Sequence, residues 1–267
     1  MTRLRAAGCV AAEEEADLLL EAAAAGRVTA ESLVSRRERG EPLAYIVGWV
    51  DFAGVRVLVG PGAFVPRPQT EAMVARALDL APSTLVDIGT GAGPIPAAVQ
   101  ARRAEVVAVA TEVDPAAAAW AIRNGVDVRI GDLDQPLPSD LAGLVDVMTV
   151  NLPYVPTAGL AFLPRDTTEH EPRVALDGGG DGLDLLRRLA PTIGGWLRPG
   201  GSVLIEIGGD QGPVATAILD GAGLTDIVLH VDGEDDLRMI EARRPLGNGP
   251  AGSGASGRGG AGAGRAG

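Results

Sequence analysis

From Thr70 onward the chain alternates short runs of aliphatic, β-branched residues with runs of helical period, and nothing else in the sequence limits its fold as tightly. A helical run at 70–80 is followed by strand-like runs at 84–88, 105–110, 126–130, 144–150 and 202–207. Strands separated by stretches of that kind build a mostly parallel sheet with helices on both faces. Two further apolar stretches, 224–231 and 237–242, are predicted to complete the sheet as its end strands. With 46% hydrophobic but only 3% aromatic residues, the chain has the aliphatic composition that doubly covered strands need.

The flanking regions read differently. Residues 1–39 are predicted to form a short helical segment: Ala16, Leu19, Leu20 and Ala23 fall at helical spacing, and Gly26 breaks the run. Residues 40–69 form a linker, and a period-two pattern over 43–66, with Val55, Val57 and Val59 alternating with Arg56 and Leu58, predicts a small hairpin of strands that ends at Pro61-Gly62. The α/β domain is predicted over 70–245. The remainder, 246–267, is rich in glycine and is expected to be disordered, because it has too little apolar surface to offset the entropy of ordering.

Charge and rare residues exclude several classes of function. All 23 basic residues are arginine and the net charge is −12, so a surface that neutralises phosphates is not expected and nucleic acid is an unlikely partner. Cys9 stands alone, which rules out an internal disulfide and a cysteine-based zinc site. His170 and His230 are too few and too far apart in sequence to suggest a metal site. No apolar run is long enough to cross a bilayer, and Glu13, Glu14 and Glu15 follow the N-terminal arginines too soon for an export signal, so a cytoplasmic location is expected.

The strand Leu85-Val86-Asp87-Ile88 runs into Gly89-Thr90-Gly91-Ala92-Gly93, and Pro94 and Pro96 then open a helix. Glycines there permit a tight turn and close approach of backbone to a ligand. A dinucleotide fingerprint would carry glycine where Pro94 stands, so the loop suits a nucleoside ligand without a pyrophosphate. About 20 residues further on, at the end of the next strand, Glu112 is placed to accept ribose hydroxyl hydrogens. Asp114-Pro115 reads as a helix cap. After the third strand, Asp132 is a candidate for an adenine amino group and Leu133 for the ring face.

The fourth strand ends in Asn151-Leu152-Pro153-Tyr154, at the edge where open α/β sheets place their ligands. The Asn151 side-chain oxygen and the Leu152 carbonyl can each accept one hydrogen of a planar NH2 group, with Tyr154 lying against it and aiming its nitrogen at a sulfonium methyl. The competing readings are an adenine amino methyltransferase acting on nucleic acid and a protein that binds S-adenosylmethionine without catalysis.

Beyond these loops the chain resembles the HemK/PrmC family of protein-glutamine N-methyltransferases. The resemblance rests on Gly40-Glu41-Pro42-Leu43 with Tyr45 and Gly48, on Val65-Pro66-Arg67-Pro68-Gln69-Thr70-Glu71, on the glycine loop, on the Asn151 loop and on Glu171-Pro172-Arg173 with Ala175-Leu176 and Gly182-Leu183. It implies a Rossmann-like class I fold with a seven-stranded sheet and S-adenosylmethionine as cofactor, bound by Asp87, Gly89, Thr90, Gly91, Ala92, Gly93, Glu112, Asp132, Leu133 and Asn151. It further implies catalysis by Asn151, Leu152, Pro153 and Tyr154, and substrate contacts from Pro66, Arg67, Pro68, Glu71 and Glu171. The implied partner is a protein with an accessible glutamine, that of the Gly-Gly-Gln motif in peptide chain release factors. One departure is plain: the family's loop reads Asn-Pro-Pro-Tyr, and Leu152 stands here for the first proline.

Overall fold

A computed structural model describes residues 1–26, 28–231 and 237–247, so all but the first two positions of the expected disordered tail lie outside the described residues. Four short helices lead: α1 (Thr2–Ala6), α2 (Ala12–Ala25), α3 (Ala30–Glu38) and α4 (Leu43–Val47). Thr29 caps α3 by accepting the Ser32 N–H at 3.3 Å. Leu4, Leu19, Leu33 and Ile46 bury one small apolar cluster between these helices. Ion pairs tie its rim, including Arg37 with Glu15 at 2.7 Å.

The hairpin is shorter than expected. β1 (Trp49–Phe52) and β2 (Val55–Leu58) pair antiparallel, whereas 43–47 is helical. Gly48 ends that helix at φ 88°, a left-handed conformation that terminates helices, and a period-two reading does not see this. Phe52, Val57 and Val59 then pack the hairpin onto the main core.

The remaining elements are α5 (Glu71–Asp79), β3 (Thr84–Ile88), α6 (Pro94–Arg102), β4 (Val107–Glu112), α7 (Pro115–Arg123), β5 (Asp127–Ile130), β6 (Val145–Val150), α8 (Arg165–His170), α9 (Asp184–Trp196), β7 (Leu197–Glu206), α10 (Gly212–Gly221), β8 (Thr225–Val231) and β9 (Leu237–Arg243). The strands form a seven-stranded sheet in the order β5-β4-β3-β6-β7-β9-β8. The first five are parallel, β9 runs antiparallel to β7, and β8 runs antiparallel to β9. This is the mostly parallel, helix-covered sheet expected from the alternation, in the seven-stranded Rossmann-like form that the resemblance implied.

Alternation of side chains on the pleat divides the core into two layers. Val86, Ile88, Met148, Val150, Val203 and Ile205 face α9 and α10. Leu85, Val147 and Leu204 face α5, α6 and the hairpin. The β7 strand begins at Leu197, five residues earlier than expected, because Leu197 pairs with Val145 across an irregularity in the register.

Chain order reverses at β3: β4 and β5 lie on one side of it, β6 and β7 on the other. A crevice opens at such a switch point, beyond the carboxyl ends of the strands.

Candidate active site

Register decides which residues meet in that crevice. Ile88 is level with Thr111 on one side and with Val150 on the other, and Val150 is level with Ile205. The next residue of each strand therefore emerges at one edge: Gly89, Glu112, Asn151 and Glu206, on neighbouring strands about 4.8 Å apart. Above them lies a cavity of about 670 Å³, within the range of small-molecule sites.

One wall is the glycine loop. At Gly89 the left-handed backbone (φ 72°) favours glycine, and an added Cβ would lie 2.8 Å from the Leu152 side chain, which would have to shift. Gly91 (φ 58°) has nothing within 4 Å of that position, which leaves open space over the loop backbone. Its N–H donates to Glu112 Oε2 at 2.7 Å, and the Asp114 N–H donates to Oε1 at 2.9 Å. These bonds fix the Glu112 carboxylate while leaving each oxygen capacity for another hydrogen. Burial pushes its pKa above the ordinary carboxylate value, and the backbone donors oppose that shift. Asp114 also caps α7, as expected, by accepting the Ala116 N–H at 2.8 Å.

Below the loop, Asp87 is fully buried. Thr149 donates its hydroxyl to Oδ1 at 2.7 Å, while Asp87 Oδ2 and Thr90 Oγ1 have no hydrogen-bond partner within the chain. Burial raises the Asp87 pKa to about 6; the bonded Thr149 hydroxyl and the nearby Thr90 hydroxyl, which makes no well-aligned bond, oppose that shift. Such buried polar atoms are places for ligand groups to bond. At the far end Asp132 forms an ion pair with Arg188 of α9 across the cavity rim. Leu133, the next residue, holds a left-handed backbone at φ 50°, which is costly for a branched side chain and is tolerated where the fold requires it.

The opposite wall is the Asn151 loop. Asn151 Nδ2 lies 3.3 Å from Glu206 Oε2 and 3.4 Å from Thr70 Oγ1, and the Thr70 hydroxyl donates to the same Glu206 oxygen at 2.6 Å. The Tyr154 hydroxyl lies 3.3 Å from Glu206 Oε1. Burial, with the Glu206 charge second, raises the Tyr154 pKa to about 12, so the phenol keeps its proton. Behind the loop Gln211 donates to the carbonyls of Tyr154 and Asp181, at 2.8 and 2.9 Å, and accepts the Gly208 N–H at 2.9 Å. Gly178 and Gly182 pack against the loop's backbone carbonyls: an added Cβ would lie 2.6 Å from the Pro153 oxygen and 2.1 Å from the Tyr154 oxygen, respectively.

The cavity is thus lined by Asp87, Gly89, Thr90, Gly91, Ala92, Glu112, Asp132 and Leu133, together with Asn151, Leu152, Pro153 and Tyr154. Gly93 stands back from it and meets Val126 and Ala121 instead. Pro66 and Arg67 line the mouth, whereas Pro68, Glu71 and Glu171 do not. Arg67 Nη2 donates to Glu171 Oε1 at 2.5 Å and lies 3.5 Å from Thr167 Oγ1, and the Glu171 side chain is only 2% exposed. Glu171 therefore anchors Arg67 from behind. Pro68 opens the turn into α5, whose first residue is Glu71.

The sequence reading assigned no role to Glu206, Gln211 or Thr70. Glu206 ends a strand that was read from the sequence, so the rule that functional groups sit at carboxyl ends was available for it. Gln211 gives no such signal, since two of its three bonds reach segments far from it in the chain.

No family model matches the chain. A release factor glutamine methyltransferase of Streptomyces coelicolor is 38% identical over 227 residues, covering 80% of either chain. Another, of Geobacter sulfurreducens, is 36% identical over 219 residues, 79% of this chain and 76% of that one. Among solved structures, a methyltransferase from Pyrococcus furiosus shares the fold, with a TM-score of 0.53 at 18% identity, over 72% of this chain and 90% of the other. Identity at this level over about four-fifths of the chain makes it a member of the release factor glutamine methyltransferase family.

Proposed function

We propose that this protein transfers a methyl group from S-adenosylmethionine to the side-chain amide nitrogen of a protein glutamine, the Gly-Gly-Gln glutamine of a release factor. The observation that carries the reading is the juxtaposition of the Asn151 loop and the glycine loop across one cavity, enforced by strand register. The residues fit the cofactor. Glu112 suits the ribose diol, the open space above Gly91 suits close approach of a ligand, and the unpartnered Asp87 and Thr90 oxygens suit polar hydrogens at the cavity floor. Asp132 and Leu133 suit the adenine end.

When bound, S-adenosylmethionine supplies a methyl group on a positively charged sulfur. An amide nitrogen is a poor nucleophile because its lone pair is delocalised into the carbonyl, a conjugation reflected in a rotation barrier of about 18–20 kcal/mol. The chain's contribution is placement. Asn151 Oδ1 and the Leu152 carbonyl accept the two NH2 hydrogens, and Tyr154 covers the flat face, so the nitrogen is held with its out-of-plane lone pair toward the cofactor side. As the N–C bond forms, the methyl's bond to sulfur would break with its electron pair staying on sulfur, and one N–H hydrogen would leave as a proton to solvent, so the amide ends neutral. The name of the relatives supports a release factor as substrate, and the position of Pro66 and Arg67 in the cavity lining supports contact with the protein chain around the glutamine.

Incubation with S-adenosylmethionine and a release factor, followed by mass spectrometry of the Gly-Gly-Gln peptide, tests the reading. A glutamine heavier by one methyl group is expected. An unmodified glutamine in the presence of bound cofactor would refute it.

A further inference from the structure

The two ends of an asparagine amide are nearly the same shape, yet one donates hydrogens and the other accepts them. Nothing in Asn151 itself decides which end faces the substrate. The register that sets Val150 beside Ile205 also sets Asn151 beside Glu206, a residue only 7% exposed. Thr70 gives its hydroxyl hydrogen to Glu206 Oε2 at 2.6 Å, so its oxygen lone pairs remain for Asn151 Nδ2 at 3.4 Å. The carboxylate oxygen is the second acceptor for the same nitrogen, at 3.3 Å. Two acceptors thus stand behind the two hydrogens of Nδ2, and Oδ1 is left facing the cavity. The reverse orientation would set Oδ1 against a carboxylate oxygen and a hydroxyl oxygen, three acceptors with one hydrogen among them. The other carboxylate oxygen holds the Tyr154 hydroxyl at 3.3 Å, so one side chain orients both groups that flank the substrate.

We infer that Glu206 is a positioning residue that fixes Asn151 as a hydrogen acceptor and thereby makes the site select a glutamine amide over a glutamate carboxylate. This rests on the reading of the site as a glutamine methyltransferase. A glutamine gives its NH2 hydrogens to Oδ1; a glutamate brings a second acceptor, and a second negative charge near Glu206. Selection therefore comes from a carboxylate that never touches the substrate.

Glu206→Gln tests this, since it keeps the size and replaces one acceptor oxygen by a donor. Turnover on a Gly-Gly-Gln peptide is expected to fall about 10²-fold, the cost of misplacing a reacting group by an ångström. Calorimetry should show cofactor affinity nearly unchanged, and a Gly-Gly-Glu peptide should compete better than it does in the wild type. The double variant Asn151→Asp with Glu206→Gln reverses the polarity of the pair while returning an acceptor to the cavity, and should recover activity over either single change. If Glu206→Gln does not fold, Thr70→Val should lower turnover and Thr70→Ser should retain it.

An independent readout keeps the inference separate from the glutamine reading. The chain has three asparagines, so labelling with ¹⁵N-asparagine gives an assignable Asn151 side-chain amide. Glu206→Gln should shift that resonance whether or not the wild type methylates glutamine. Wild-type methylation with unchanged turnover in Glu206→Gln overturns the inference alone. An unshifted Asn151 amide overturns it in every case, and failure of the wild type to methylate any glutamine substrate overturns the functional reading instead.

Discussion

At the scale of single residues, the proposed function assigns cofactor holding and substrate holding to different side chains. Glu112 reaches the cavity with both oxygens already bound to backbone N–H groups of the two loops it joins. Replacing it by Ala would remove the proposed diol acceptor and free those loops, and should weaken S-adenosylmethionine binding by about 1–3 kcal/mol. Calorimetry with the cofactor and its demethylated product checks this; an unchanged affinity would remove Glu112 from the site. Asn151→Ala should act on the other half of the reaction. Turnover is expected to fall about 10²-fold or more, because the lost contact matters most in the transition state, while cofactor affinity falls much less. A variant that turns over at the wild-type rate would end the amide-positioning mechanism. Leu152, where the resemblance leads one to expect proline, takes up a contact of its own: its side chain lies over Gly89, so the two loops remain pressed together.

Among elements, the reacting loop is held by segments distant in sequence. The loop from Gly178 to Gly182 passes beneath it, and Gln211 at the start of α10 bonds to both. Gly182 combines a left-handed backbone at φ 83° with the carbonyl of Tyr154 beside the place of its missing Cβ. Gly182→Ala should therefore cost roughly 1–2 kcal/mol from backbone strain alone, and the clash should displace Tyr154 and lower turnover further. Gly180→Ala is the internal control, since that position has open space and no positive φ. Chemical denaturation and peptide turnover on the two variants check this, and equal behaviour would show that the packing is dispensable. The Arg67–Glu171 pair does similar work on the other side, tying the segment before α5 to the end of α8. The sequence made the paired segments visible as blocks, but not that one carboxylate would support the other block's arginine.

For the whole molecule, a ligand that binds the folded state alone raises its stability in proportion to the logarithm of its concentration, about 2.7 kcal/mol at 100 times Kd. S-adenosylmethionine should raise the melting temperature accordingly, and NAD should not. The α6 helix opens on Pro94, which has no N–H to offer a pyrophosphate, and the loop lacks the glycine a dinucleotide needs there. A shift with NAD and none with S-adenosylmethionine would overturn the assignment of the cavity. Among the described residues no helix is long and apolar enough to cross a membrane, and no group of three or more metal-ligating side chains comes together. By itself the sequence determined what is local: the alternation of strands and helices, the glycine loop, the Asp114 cap and the chemistry of the Asn151 loop, all carried by short-range periodicity and backbone preference. Even so, it misread 43–47 as strand, because a five-residue helix closed by Gly48 is too short to show a period. Tertiary structure alone decided that Glu206 stands beside Asn151, that Gln211 and Gly182 brace the loop and that Arg188 spans the rim to Asp132. Those contacts depend on strand order and register, which are set by packing between segments distant in the chain.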